Sequence, residues 1–167
     1  MTIEDRLQYT ICFVHYGDRV LLLNRQKAPW MGRWNGVGGK LEAHETSYEC
    51  ILREVEEETG LYLPGKDRIK ARGVMKWFRD GESLGGMYLF TAELKKEEYE
   101  IYQTPRNSDA GEGILDWKDK DWIFHEQNSG VVDNIKILLT KIFDSNEFAI
   151  FDTTYHENEL ISVIKKN

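Results

Sequence analysis

Between Gly39 and Leu61 the chain reads GKLEAHETSYECILREVEEETGL, with carboxylates at positions where they could act together. Glu45 stands near the start, and Glu54, Glu56, Glu57 and Glu58 crowd the end. Helix signals surround them. Thr46 with Glu49 three residues on makes a capping box, and Gly60 supplies a left-handed stop. At about 100° per residue, Tyr48, Ile51, Leu52, Val55 and Thr59 share one apolar face. Glu54, Glu57 and Glu58 gather on another flank, and Glu56 points elsewhere. Like charges three and four residues apart repel, more so when sheltered from water. A well-specified helix carrying such a cluster is best explained by a cation on that flank. Oxygen-only ligands favour Mg²⁺ first and Mn²⁺ second.

The elements that position this helix can be read in order. Leu7 to His15 is β-rich, Gly17-Asp18 marks a turn, and Arg19 to Asn24 reads as the second arm of a hairpin. Arg25 to Met31 is a polar loop broken by Pro29. The run Gly32-Arg33-Trp34-Asn35-Gly36-Val37-Gly38-Gly39-Lys40 has glycines that let backbone approach something closely, and its place before the acidic helix favours a phosphate- or metal-facing loop. Leu61 to Lys66 is a connector, and strands over Ile69 to Phe78 and Gly86 to Leu94 flank the Asp80-Gly81-Glu82 turn. Lys95 to Ser108 reads as a charged loop. Glu112 to Trp117 is a further strand followed by a Lys/Asp-rich turn. Val131 to Phe143 has helical apolar spacing. Phe148 to Thr154 and Leu160 to Lys165 form a C-terminal hairpin. The expectation is one α/β domain over residues 1–167, a mixed sheet between the acidic helix and the later helix.

With 167 residues and 41% hydrophobic content the chain suits a single core. The formal net charge of −7 argues against sequence-independent nucleic-acid binding, and a polyphosphate would have to be held by metal ions and local cations. Cys12 and Cys50 offer no disulfide framework and read as reduced. No signal peptide or bilayer-length apolar run is visible, so a cytoplasmic location without a membrane partner is expected. Oligomeric state is left open.

The acidic stretch matches the Nudix box, G-x5-E-x7-R-E-U-x-E-E-x-G-U, at Gly39, Glu45, Arg53, Glu54, Val55, Glu57, Glu58, Gly60 and Leu61. The chain thus resembles the Nudix hydrolases, and the resemblance implies their α/β/α sandwich with the box at 39–61. It also implies Glu54, Glu57 and Glu58 as metal ligands, supported by the Gly39 carbonyl and Glu45, with Arg53 orienting the glutamates through ion pairs. A box glutamate, Glu54 or Glu57, or an acid outside the box would serve as general base. Among Glu97, Glu98, Glu100 and Glu112 the last is favoured; its strand resembles that of MutT-type oxidised-purine triphosphatases, and it would also reach a metal. The Gly32–Lys40 run is similar to the matching segment of those enzymes, which nominates Asn35 as base reader and Gly38 as part of a phosphate-facing loop. Arg25 and Lys40 could each meet a phosphate.

One departure stands out. The animal enzymes bind the oxidised purine with a tryptophan and a pair of aspartates before their last helix. Here that region reads HEQNSGVVDN, and Trp30, Trp122, Phe78 or His125 are left as candidates for stacking a base. The implied activity is Mg²⁺-dependent cleavage of a nucleoside triphosphate to monophosphate and pyrophosphate, with 8-oxo-dGTP the leading substrate. The alternatives are a Nudix hydrolase of another nucleoside diphosphate derivative, such as ADP-ribose, a dinucleoside polyphosphate or capped RNA, and a non-catalytic nucleotide sensor.

Overall fold

In the computed structural model, which describes residues 7–166, the chain forms a mixed sheet with helices on both faces. Strands β1 (Tyr9–Tyr16) and β2 (Arg19–Arg25) make the expected hairpin, and β3 (Trp34–Asn35) adds a short arm to β2. Helix α1 (Ser47–Thr59) follows, then β4 (Ile69–Arg79) and β5 (Glu82–Glu93). Next come α2 (Lys96–Ile101), β6 (Arg106–Asn107), β7 (Gly113–Asp119) and α3 (Lys120–Phe124). The chain closes with α4 (Asp133–Asp144), β8 (Ala149–His156) and β9 (Glu159–Lys166). The strand order is β6-β7-β2-β1-β5-β4-β8-β9. Only β1 with β5 and β4 with β8 run parallel.

Alternation along the strands divides the core into two layers. Ile11 and Phe13 of β1 face α4, where Ile135, Leu138, Leu139 and Ile142 cover them together with Met75 and Phe151. Cys12 and Val14 face the other way, against Ile51 and Val55 of α1 with Leu63 and Phe90. Both cysteines are free and buried.

Helix α1 begins and ends where its sequence says it should. The Glu49 amide N–H donates to Thr46 Oγ1 at 3.1 Å, and the Thr46 amide N–H donates back to Glu49 Oε1 at 3.4 Å. Gly60 at φ +79° donates its N–H to the Glu56 carbonyl at 2.9 Å, a left-handed stop that a Cβ would strain. Helix α4 ends differently. Arg72, buried on β4, donates to the Ile142 carbonyl at 2.6 Å and to the Ser145 carbonyl, with Thr91 Oγ1 at 3.3 Å. It thereby satisfies carbonyls that the last turn leaves over.

Two expectations are corrected. The charged stretch Lys95 to Ser108 contains α2 and β6, because Tyr99 stacks on Tyr16 at 4.4 Å between ring centroids and Tyr102 Oη donates to the Thr59 carbonyl at 2.7 Å. The Lys/Asp-rich turn after β7 winds into α3, whose Ile123 is fully buried. Among the described residues no helix is long and apolar enough to cross a membrane. Removing the N-cap oxygen with Thr46→Ala should lower unfolding stability by about 1 kcal/mol, read as a lower urea midpoint at unchanged slope.

Candidate active site

A cleft of about 890 Å³ opens where α1, the glycine-rich run, the end of β2 and the start of α4 converge. Gly36, Gly38 and Gly39 lie along it, but most of their close approach is to the protein itself. Side chains at Gly36 or Gly38 would collide with β1, at Phe13 and Cys12 or at the Thr10 carbonyl, and one at Gly39 would collide with the Glu54 carboxylate. The run lies flat on β1: the Cys12 N–H donates to the Val37 carbonyl at 2.7 Å, and the Thr10 N–H to the Gly39 carbonyl at 2.8 Å. Those glycines bring α1 against the sheet, a packing role that stands beside the phosphate- or metal-facing one expected of the run.

At one end of the cleft stand Glu54, Glu58, Glu112 and Arg25. Glu58 is only 5% exposed, and its Oε2 accepts the Gly38 N–H at 3.0 Å. Burial, followed by the charge of Glu54, pushes its pKa up to about 8, while the Gly38 hydrogen bond pulls the other way. Glu54 is raised too, chiefly by burial and against the pull of Arg53. Glu112 adds to the negative field at Glu58, and Arg25 relieves part of it. Arg25 itself is steadied by donating Nε–H to the Pro29 carbonyl at 2.8 Å.

Arg53 gathers the remaining acids. It holds Glu45 through two bonds of 2.9 Å, Glu54 at 2.9 Å and Glu57 at 3.2 Å. Its hydrogen bonds hold the Glu45 carboxyl down to about 2. Glu57, with a 53% exposed side chain, is thus turned to Arg53 and does not line the cleft; Glu45 and Lys40 do not line it either. The Gly39 carbonyl, nominated as a ligand, already accepts from the Thr10 N–H and Oγ1–H. Of the acids outside the box, Glu98 pairs with Arg68 and Glu100 with Lys96, and only Glu112 is on the cleft wall.

The donor chemistry fits a hard divalent cation: Glu54, Glu58 and Glu112 supply oxygen alone, and among the described residues no cation forms an ion pair with the buried Glu58 carboxyl. Among the described residues no group of three or more His, Cys, Asp or Glu side chains is gathered to hold an ion. Arg53 occupies Glu54 instead.

Beyond the acids the cleft is lined by aromatic rings and amides, with Arg79 as a further cation. Tyr9 and Trp77 lie 5.8 Å apart between centroids, with Trp30, Asn35, Asn134 and Tyr155 on the same walls. The Asn35 Oδ1 accepts the Gly36 N–H at 2.8 Å, so its NH₂ is what it can offer a ligand. Of the stacking candidates only Trp30 is here. Trp122 packs edge-on against Trp34 over Lys118, His125 Nδ1 accepts the Gln127 N–H, and Phe78 lines a separate groove. Tyr9, Trp77 and Asn134 were not nominated from sequence; strand alternation would have put Tyr9 with Ile11 and Trp77 with Met75.

A NUDIX domain model matches residues 6–137. The "Uncharacterized Nudix hydrolase YvcI" of Bacillus subtilis is 31% identical over 114 residues, 66% of this chain and 64% of that protein. The "Oxidized purine nucleoside triphosphate hydrolase" of Mus musculus is 31% identical over 102 residues, 60% of each. The chain thus spans less than two thirds of these relatives' lengths. A crystal structure of a MutT protein from Bacillus halodurans superposes with a TM-score of 0.70 at 26% identity, covering 96% of this chain and 98% of that one.

The buried Glu58 generates a pH dependence. Its folded pKa lies above the unfolded value, so the native state binds the proton more tightly and stability falls as pH rises from about 4.5 towards 8. In chelator, Glu58→Gln should flatten that slope and exceed the wild type at pH 8 by on the order of 1–3 kcal/mol, measured by urea unfolding across the range.

Proposed function

The chain belongs to the Nudix family, and from that premise we propose a divalent-cation-dependent pyrophosphohydrolase that cleaves a nucleoside triphosphate to the monophosphate and pyrophosphate, with 8-oxo-dGTP and related oxidised purine nucleotides as leading substrates. The observation that carries this reading is the make-up of the cleft: Glu54, Glu58 and Glu112 with the cations Arg25 and Arg79, beside aromatic rings and neutral amides. That mixture suits a ligand that combines a polyanionic group with a flat heterocycle. The mouse relative's name supports the purine assignment.

Glu54, Glu58 and Glu112 would hold Mg²⁺, with Mn²⁺ as the substitute. When bound, the ion supplies charge neutralisation on the diphosphate and acidifies the attacking water. The chain's own groups do the rest. Glu112 would take the proton of the attacking water, because it reaches the cleft from the residue before β7 and leaves the α1 carboxylates free to hold charge. Arg25 meets the non-bridging phosphate oxygens. Arg53 keeps Glu54 turned toward Gly39 by an ion pair and touches no substrate. Asn35 donates its NH₂ to an acceptor on the base.

Turnover should require Mg²⁺ and release pyrophosphate, not orthophosphate, in a panel of 8-oxo-dGTP, dGTP and ADP-ribose; full activity in excess chelator would refute the reading. Glu54→Gln and Glu112→Gln should each lower kcat by roughly a hundredfold or more. Glu56→Gln, on the exposed side of α1, should leave it within about twofold. Asn35→Ala should cut kcat/KM for 8-oxo-dGTP by roughly tenfold to a hundredfold while barely changing that for a pyrimidine triphosphate.

A further inference from the structure

Thr10 of β1 and Gly39 of the glycine-rich run meet on the cleft wall, beside Glu54. The Gly39 carbonyl has two lone pairs, and Thr10 takes both: its N–H donates at 2.8 Å and its Oγ1–H at 3.2 Å. The hydroxyl also has a second choice. Cys50 Sγ, on α1, lies 3.3 Å from Thr10 Oγ1. Thr10 is 4% exposed and Cys50 fully buried, so neither group can turn to bulk water instead. One hydroxyl proton therefore has two acceptors within reach, the Gly39 carbonyl and the Cys50 sulfur.

The sulfur is prepared to receive it. Burial pushes the Cys50 thiol up to about 12, so the thiol keeps its own proton. That proton has the Glu45 carboxylate as an acceptor and, at 3.9 Å, the Gly39 carbonyl. Given to Glu45, it leaves the sulfur lone pairs to the Thr10 hydroxyl and to the Arg53 Nη2–H at 3.7 Å. Sulfur is the weaker acceptor, so the hydroxyl rests on the carbonyl when nothing else claims that oxygen. The two settings differ by rotation of one O–H bond, with no heavy atom displaced. In one, both Gly39 lone pairs are filled. In the other, one is open at a residue packed against the Glu54 carboxylate, and a hard cation accepts a backbone carbonyl as well as a carboxylate oxygen.

We propose that the Thr10 hydroxyl is a rotor that gates the Gly39 carbonyl: turned to Gly39 it withholds that oxygen from a divalent cation, and turned to Cys50 it releases it. Thr10 and Cys50 are then positioning residues that set cation affinity through Gly39, and they act with opposite sign. The hydroxyl competes for the carbonyl, and the sulfur makes its departure less costly. The inference rests on the cation-dependent reading given above.

Calorimetric titration with Mn²⁺ alone, without nucleotide, tests it apart from hydrolysis. Thr10→Val keeps the side-chain shape and removes the hydroxyl, and should bind Mn²⁺ about threefold to tenfold more tightly than wild type. Cys50→Ala removes the second acceptor and should bind about threefold to tenfold more weakly. Cys50→Ser, which restores an acceptor, should return close to the wild-type affinity. The double variant should match Thr10→Val, because without the hydroxyl the sulfur has nothing to receive. Residues that only pack α1 against β1 would weaken binding in both single variants and add in the double; that result overturns the proposal. So does a Thr10→Val protein of unchanged affinity, or a wild type that binds no Mn²⁺. If Thr10→Val fails to fold, the Cys50 pair decides: no loss in Cys50→Ala, or a loss that Cys50→Ser does not relieve, overturns the assignment. Opposite shifts in a protein that hydrolyses no triphosphate would keep this inference and lose the hydrolytic one. Cation-dependent hydrolysis with both shifts in one direction would do the reverse.

Discussion

One guanidinium organises the acidic end of this molecule. Arg53 reaches back along α1 to Glu45, sideways to Glu54 and one turn on to Glu57. Without it, several carboxylates would face one another across a helix flank that the apolar face pins against the sheet. With it, the repulsion is partly neutralised from within the helix, and Glu54 is aimed toward Gly39. The Gly38 N–H extends the same favour to Glu58. An electrostatic liability is thus partly offset by the chain's own groups, and what is left appears at Glu58, whose proton is held well above the ordinary carboxylate range.

The sheet explains why the cleft has two characters. Its carboxyl groups come from consecutive turns of one helix and the residue ahead of β7. Its far end comes from alternate residues of β1 and β4 and from the start of α4, where the same alternation that builds the core supplies rings and amides. The hydrogen bonds of Trp34 to Gly130 and Val132, on the approach to α4, keep the two regions in register.

Helix α1 was legible from sequence to the residue at both ends, because its cap, stop and apolar stripe are local signals that agree. The strands and α4 were legible within a few residues for the same reason. Helix α2 was not: its sequence, KEEYEI, is nearly all polar, and what holds it is Tyr99 against Tyr16 and Trp117, partners remote in the chain. The site divides similarly. Which acids cluster could be read from spacing, but spacing could not say that Glu58 turns inward while Glu57 turns to Arg53. That choice depends on Gly38 and Gly39 lying against the helix. Asn134 was not nominated because its place on the cleft wall is set by a hydrogen-bond chain through Tyr155, a residue of β8 remote in sequence.

Arg72 gives α4 an unusual mechanical standing. Helix ends ordinarily fray, since their last carbonyls answer only to water. Here those carbonyls are clamped by a side chain rooted in β4, between the strands that pair with it on either side. The far end of α4 is tied to β3 through Val132. The helix is therefore a strut fastened at both ends, and it moves with the sheet as one body. Opening of the cleft must then come from the Pro29–Met31 loop or from side chains, not from a swing of the helix that forms its wall.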